Sequence, residues 1–161
     1  MKTRIFLFAA TLCCIFLTQS LDAQISSVNY RLKYDTTLCR YDAYIIINSG
    51  SASSIAHRTQ FNAQYTVIVP AGTTLTVAQS HNPLQGNQTY TGTTPLTWQV
   101  SSIVNAPAAQ PGSKFISIVP VLSPASQYNN ITSGDTIKLF SFTVSALTSC
   151  GSGIRLYENG T

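Results

Sequence analysis

FNAQYTVIVPAG, residues 61–72, has the pattern of a β-strand followed by its own stop signal. Phe61, Ala63, Tyr65, Val67 and Val69 alternate with Asn62, Gln64 and Thr66. A period of two places the first set on one face of an extended chain and the second on the other. β-Branched and aromatic residues dominate, which suits a pleated, half-buried surface. Pro70-Ala71-Gly72 then ends the run, because proline lacks a ladder donor and glycine turns freely.

The same alternation continues in both directions. Toward the N-terminus, Val28, Tyr30, Leu32 and Tyr34 alternate with Asn29, Arg31 and Lys33. After a turn at Asp35-Thr36-Thr37, Cys39, Tyr41, Ala43, Ile45 and Ile47 alternate with Arg40, Asp42 and Tyr44, and the two runs predict a hairpin. Residues 48–54 read as a loop. Toward the C-terminus, Leu75 and Val77 start a return strand, and Leu96, Trp98 and Val100 resume the period. Residues 115–122 are apolar on both faces, as in a central strand. Phe140, Phe142 and Val144 share a face within residues 137–144, and residues 154–157 read as a last strand. Polar loops fill residues 81–94, 106–112 and 123–134. About eight strands with polar turns and no helical period predict an all-β fold, an antiparallel β-sandwich with the jelly roll as one form of it.

The first 23 residues stand apart. Lys2 and Arg4 precede an apolar run from Ile5 to Leu17, and Leu21-Asp22-Ala23 offers a small residue at a cleavage point. Residues 1–23 are therefore expected to be a signal peptide. The run is short for a membrane span, which takes about 20 apolar residues. Cys13 and Cys14 lack the flanking residues of a lipidation site. The mature chain, residues 24–161, reads as one domain without internal repeats. Its end soon after a strand suggests the N-terminal part of a longer protein. A secreted or cell-surface location follows, with no stable membrane insertion after cleavage.

Export gives the remaining cysteines, Cys39 and Cys150, a default reading as one disulfide, with two separate buried thiols as the alternative. Such a bond closes a loop worth about 4–5 kcal/mol at most in lost chain entropy. His57 and His81 read as solvated loop residues, and no Cys-x-x-Cys spacing suggests a metal.

Charge is scarce, at 9% of residues against about 25% in ordinary domains. Setting aside Lys2, Arg4 and Asp22 leaves the mature chain near +3, with no basic run. This excludes a nucleic-acid surface as the first reading. Asp35 and Asp135 sit in turn contexts, where aspartate bonds the local backbone, and Asp42 on the polar face of a strand. No facing carboxylate pair, nucleophile elbow or phosphate loop is visible. Gly151-Ser152-Gly153 reads as a tight turn beside the disulfide.

Trp98 shares the apolar phase of Leu96 and Val100 and is expected in the core. Tyr90 and Tyr128 lie in polar loops among Asn, Gln and Thr, and are the candidate ligand-binding residues. Specificity is accordingly expected in the loops rather than on the sheets.

AQYTVIVPAGTTLTV (residues 63–77) and GDTIKLFSFTV (residues 134–144) resemble the cohesin-like β-sandwich repertoire. The start of the mature chain and Leu139-Phe140-Ser141-Phe142 look like N-terminal domains of secreted Bacteroidota proteins, which often precede a type IX secretion tail. The resemblance implies a cohesin-like sandwich and carries no binding residue across. Asp35-Thr36-Thr37 and Asp135-Thr136-Ile137 resemble the short O-glycosylation acceptor of that phylum, with Thr36 and Thr136 as candidate sites. Asn87, Asn130 and Asn159 head N-glycosylation sequons. The expected function is a non-catalytic secreted or surface module for adhesion or extracellular assembly. The alternative is a carbohydrate-binding module of a secreted polysaccharide-degrading protein. No cofactor is expected, and the partner is an extracellular protein or glycan.

Overall fold

A computed structural model describes residues 24–54, 57, 63–79, 97–121, 128, 130–147 and 151–158. Its strands are β1 (Ser27–Asp35), β2 (Arg40–Ser49), β3 (Ser51–Ala52), β4 (Tyr65–Pro70), β5 (Thr74–Gln79), β6 (Thr97–Asn105), β7 (Ser113–Val121), β8 (Ile131–Thr132), β9 (Thr136–Ser145) and β10 (Arg155–Leu156). They form two four-stranded sheets, ordered β1-β2-β9-β5 and β10-β4-β7-β6, and a small β3-β8 ribbon. Every pairing is antiparallel. The chain is thus the all-β sandwich that its alternation predicts. The expected signal peptide lies outside the described residues.

Local chemistry sets the turns. The Asp35 carboxylate accepts the N–H groups of Thr37 and Leu38 at 3.0 and 3.1 Å, closing the β1–β2 hairpin. Asp135 likewise accepts the Thr132 N–H at 2.8 Å. Both aspartates therefore hold backbone, as their turn contexts predict. Between β4 and β5 the chain changes sheets. There the Thr73 hydroxyl donates to the Pro70 carbonyl at 2.7 Å, and Lys114 Nζ donates to the Thr73 carbonyl at 2.6 Å. Gly50 has φ +97, and a Cβ there would run into the backbone of Gln24 and Ile25. Only glycine lets the start of β1 approach the end of β2 this closely.

The β3-β8 ribbon falls in stretches that read as loops. Two-residue strands carry no period, so alternation cannot reveal them.

The core lies between the sheets, and Phe140 of β9 is its hub. Its ring meets Tyr65 edge-on at 5.3 Å and Trp98 at 5.0 Å, both from the opposite sheet. Tyr41 stacks on Phe142 at 5.2 Å. Trp98 is only 2% exposed and Val100 packs against the same cluster, as their shared phase predicts. A register slip pairs Ala43 with Phe140 but Tyr44 with Lys138. The extra residue of that bulge, Leu139, joins the core beside Phe140.

Candidate functional site

β1 and β10 are edge strands of the two sheets and lie beside each other. β10 is two residues long, so it covers little of the nine-residue β1. The uncovered space is a groove of about 470 Å³, lined by β1, by residues 64–66 and by residues 156–158.

Tyr30 shows how the edge creates this site. It shares the inward phase of Val28 and Leu32, yet is 39% exposed. It meets Tyr65 edge-on at 5.4 Å, while the Tyr65 hydroxyl donates to the Arg31 carbonyl at 2.7 Å. Burial raises the pKa of both tyrosines, Tyr65 far more, so both stay protonated in neutral water. Tyr157, 42% exposed, forms the opposite lip with Glu158. Asn29 and Gln64 add exposed amides.

The groove continues over Tyr157 onto the outer face of the second sheet. A shallower hollow of about 300 Å³ there shares Gln64, Thr66 and Tyr157 with the groove and adds Val104, Pro107 and Phe115. Phe115 and Tyr157 meet edge-on at 5.7 Å. Gln64 donates to Thr66 and Ser117 hydroxyls at 3.1 and 3.2 Å, which fixes its amide at the junction. Aromatic faces beside held amides and hydroxyls suit a polar ligand with apolar patches.

The residues singled out from the sequence fall differently. Tyr128, expected as an exposed loop aromatic, is a core residue at 6% exposure. Its ring packs in the core cluster instead of facing solvent, the apolar body of a tyrosine outweighing the polarity of its sequence neighbours. Tyr90 lies outside the described residues, as do His81 and Asn87. His57 is exposed. Thr36 is exposed at the β1–β2 turn, whereas Thr136 sits in β9 opposite Ile46 and is half-buried. Cys39 is disulfide-bonded and takes φ +46 at the end of the hairpin turn. Cys150 lies outside the described residues. Gly151, its neighbour, meets the Tyr34 ring, and the Tyr34 hydroxyl reaches Cys39 Sγ at 3.5 Å.

Asp42 lies on the polar face of β2, as its phase predicts, yet is buried there. It is 8% exposed, and its Oδ1 takes the Ser141 hydroxyl at 2.6 Å and Lys138 Nζ at 2.9 Å, with Arg40 Nε at 3.3 Å. Burial alone would lift its pKa, but Ser141, Lys138 and Arg40 outweigh it and hold the carboxyl below its ordinary value. These contacts tie the carboxylate into the fold, while Arg40 Nε lies within ion-pair distance without a hydrogen bond. Among the described residues, no group of three or more His, Cys, Asp or Glu is placed to hold a metal. No family model, curated protein or solved structure matches this chain.

Proposed function

We propose that the chain is a non-catalytic extracellular β-sandwich module for adhesion or assembly, which binds its partner in the groove between β1 and β10. The carrying observation is that groove, with exposed Tyr30 and Tyr157 on opposite lips and Asn29 and Gln64 between them. Rigid aromatics beside adaptable amides form the kind of surface that binds at low entropic cost. The same residues favour a second reading, a carbohydrate-binding module, since tyrosine faces and amides suit sugar rings and hydroxyls. The proposal includes export, a cohesin-like type of sandwich, and Cys150 as the partner of Cys39. The cohesin-like type rests on residues 63–77 and 134–144, which supply β4, β5 and β9.

The test is binding of the folded protein to arrayed neutral glycans and to extracellular proteins, with Tyr157→Ala and Tyr30→Ala variants. Loss of the bound partner in both variants supports the groove. Binding that survives both places the site elsewhere. Retention on glycans selects the carbohydrate reading, and retention on proteins alone selects adhesion.

A further inference from the structure

The outer face of the first sheet carries a separate concentration of charge. Cross-strand pairing arranges it in rows. Arg31 lies opposite Tyr44, and Tyr44 opposite Lys138. In the next row Lys33 faces Asp42, and Asp42 faces Ser141; beyond it Asp35 faces Arg40. Four of the mature chain's seven cations thus share one sheet face with two carboxylates.

Those carboxylates are already engaged. Lys138 and Ser141 bond Asp42 Oδ1, Arg40 lies within ion-pair distance of it, and Arg40 also reaches Asp35 at 3.9 Å. Arg31 and Lys33 are exposed and have no ion-pair partner among the described residues. Two residues apart on one strand face, their stems start ~7 Å apart. Together with Tyr44 and Thr136 they line a hollow of about 210 Å³.

We propose that this hollow binds a polyanionic polysaccharide, with Arg31 and Lys33 engaging its carboxylate or sulfate groups. Charge complementarity selects an anion. Arginine offers a planar fork to such a group and lysine a point charge. The setting selects a polysaccharide over a polypeptide. A peptide is held by an open strand edge or by apolar anchors in pockets; this hollow opens on the face of edge strand β1 rather than along its edge, and its aromatic, Tyr44, is a buried floor. Thr136 lines the hollow as a hydroxyl-bearing partner for sugar hydroxyls. Duplex DNA is read through many phosphate contacts, and two free cations make few. The site lies on a different face from Phe115 and Tyr157 and does not depend on the proposed groove.

The experiment measures binding of the folded chain to heparin and polygalacturonate, with dextran, polyglutamate and duplex DNA as comparisons. The variants are Arg31→Gln/Lys33→Gln, Lys33→Gln alone in case the pair fails to fold, and Arg155→Gln on the other sheet. The expected result is binding to at least one polyanionic polysaccharide but not to dextran, weakening as salt rises. The double variant should lose at least about tenfold in affinity, the size of one charge-assisted contact. Lys33→Gln should lose part of that, and Arg155→Gln should bind as wild type. Absence of binding to both polysaccharides overturns the proposal, as does wild-type affinity in the Arg31/Lys33 variants. An equal loss in Arg155→Gln, or equally tight binding of polyglutamate or DNA, also overturns it by reducing the effect to net charge.

Discussion

The two sheets share a core and turn opposite chemistry outward. The first presents Arg31, Lys33, Arg40 and Lys138 around Asp42, while the second presents Ser117, Thr66, Phe115 and Val104 beside Tyr157. Inward, both supply the same kind of residue: Tyr41 and Phe142 from one, Tyr65 and Trp98 from the other. Alternation fixes which side chains meet in the core and leaves the outer phase free to vary. The outer faces are therefore where this fold has room for function. The difference also shows why one buried charge cluster is tolerated: Lys138 is 7% exposed, but Asp42 pairs with it across one strand boundary and also accepts the Ser141 hydroxyl.

The largest effect should come from breaking what the two faces share. Phe140→Ala removes the ring that joins Trp98 and Tyr65 to the first sheet, and should cost about 4 kcal/mol in urea unfolding. A loss below about 1 kcal/mol would mean the sheets do not depend on that hub.

Asp42→Ala acts on the charged face alone. It leaves Lys138 buried without its carboxylate and takes one of two from half-buried Arg40, and should cost about 3 kcal/mol by the same measurement. Ser117→Ala on the neutral face should cost about 0.5–1 kcal/mol, as a net hydrogen bond does. Equal losses at the two positions would erase the contrast between the faces.

Acid should reveal the same asymmetry. The folded pKa of Asp42 lies below its unfolded value, so its contribution is complete above the unfolded carboxylate pKa of about 3.9 and fades as pH falls through the lower folded value. Stability of the wild type should fall across that acidic window, and the Asp42→Ala protein should fall less steeply. Thermal melts from neutral pH down to about pH 2 measure this; parallel curves would remove Asp42 from the account.

Tyr157→Ala should have a similarly small effect on stability, about 0.5 kcal/mol from the edge contact of its exposed ring with Phe115, with the melting transition still cooperative. A collapse of the fold would make Tyr157 a structural residue and remove it as a lip of the groove.

Period two in the sequence determined the strands, the hairpin of β1 and β2, the inward phase of Trp98, Phe140 and Phe142, and the aspartate-held turns. Each depends on neighbours within a few residues, where spacing along the chain is spacing in space. Tertiary structure decided the rest. Arg31, Lys33 and Asp42 were visible on a polar phase, but Lys138 joins them only because β9 returns beside β2 after nearly a hundred residues. No basic run marks that cluster, because its members come from three strands. Tyr30 carries an inward-facing signature and is exposed because the strand beside it, β10, is too short to cover it. Tyr128 sits in a polar stretch of sequence, yet its own ring belongs to the buried core cluster. Local pattern sets which face a side chain takes; whether anything covers that face depends on strand order and strand length, which are properties of the assembled sandwich.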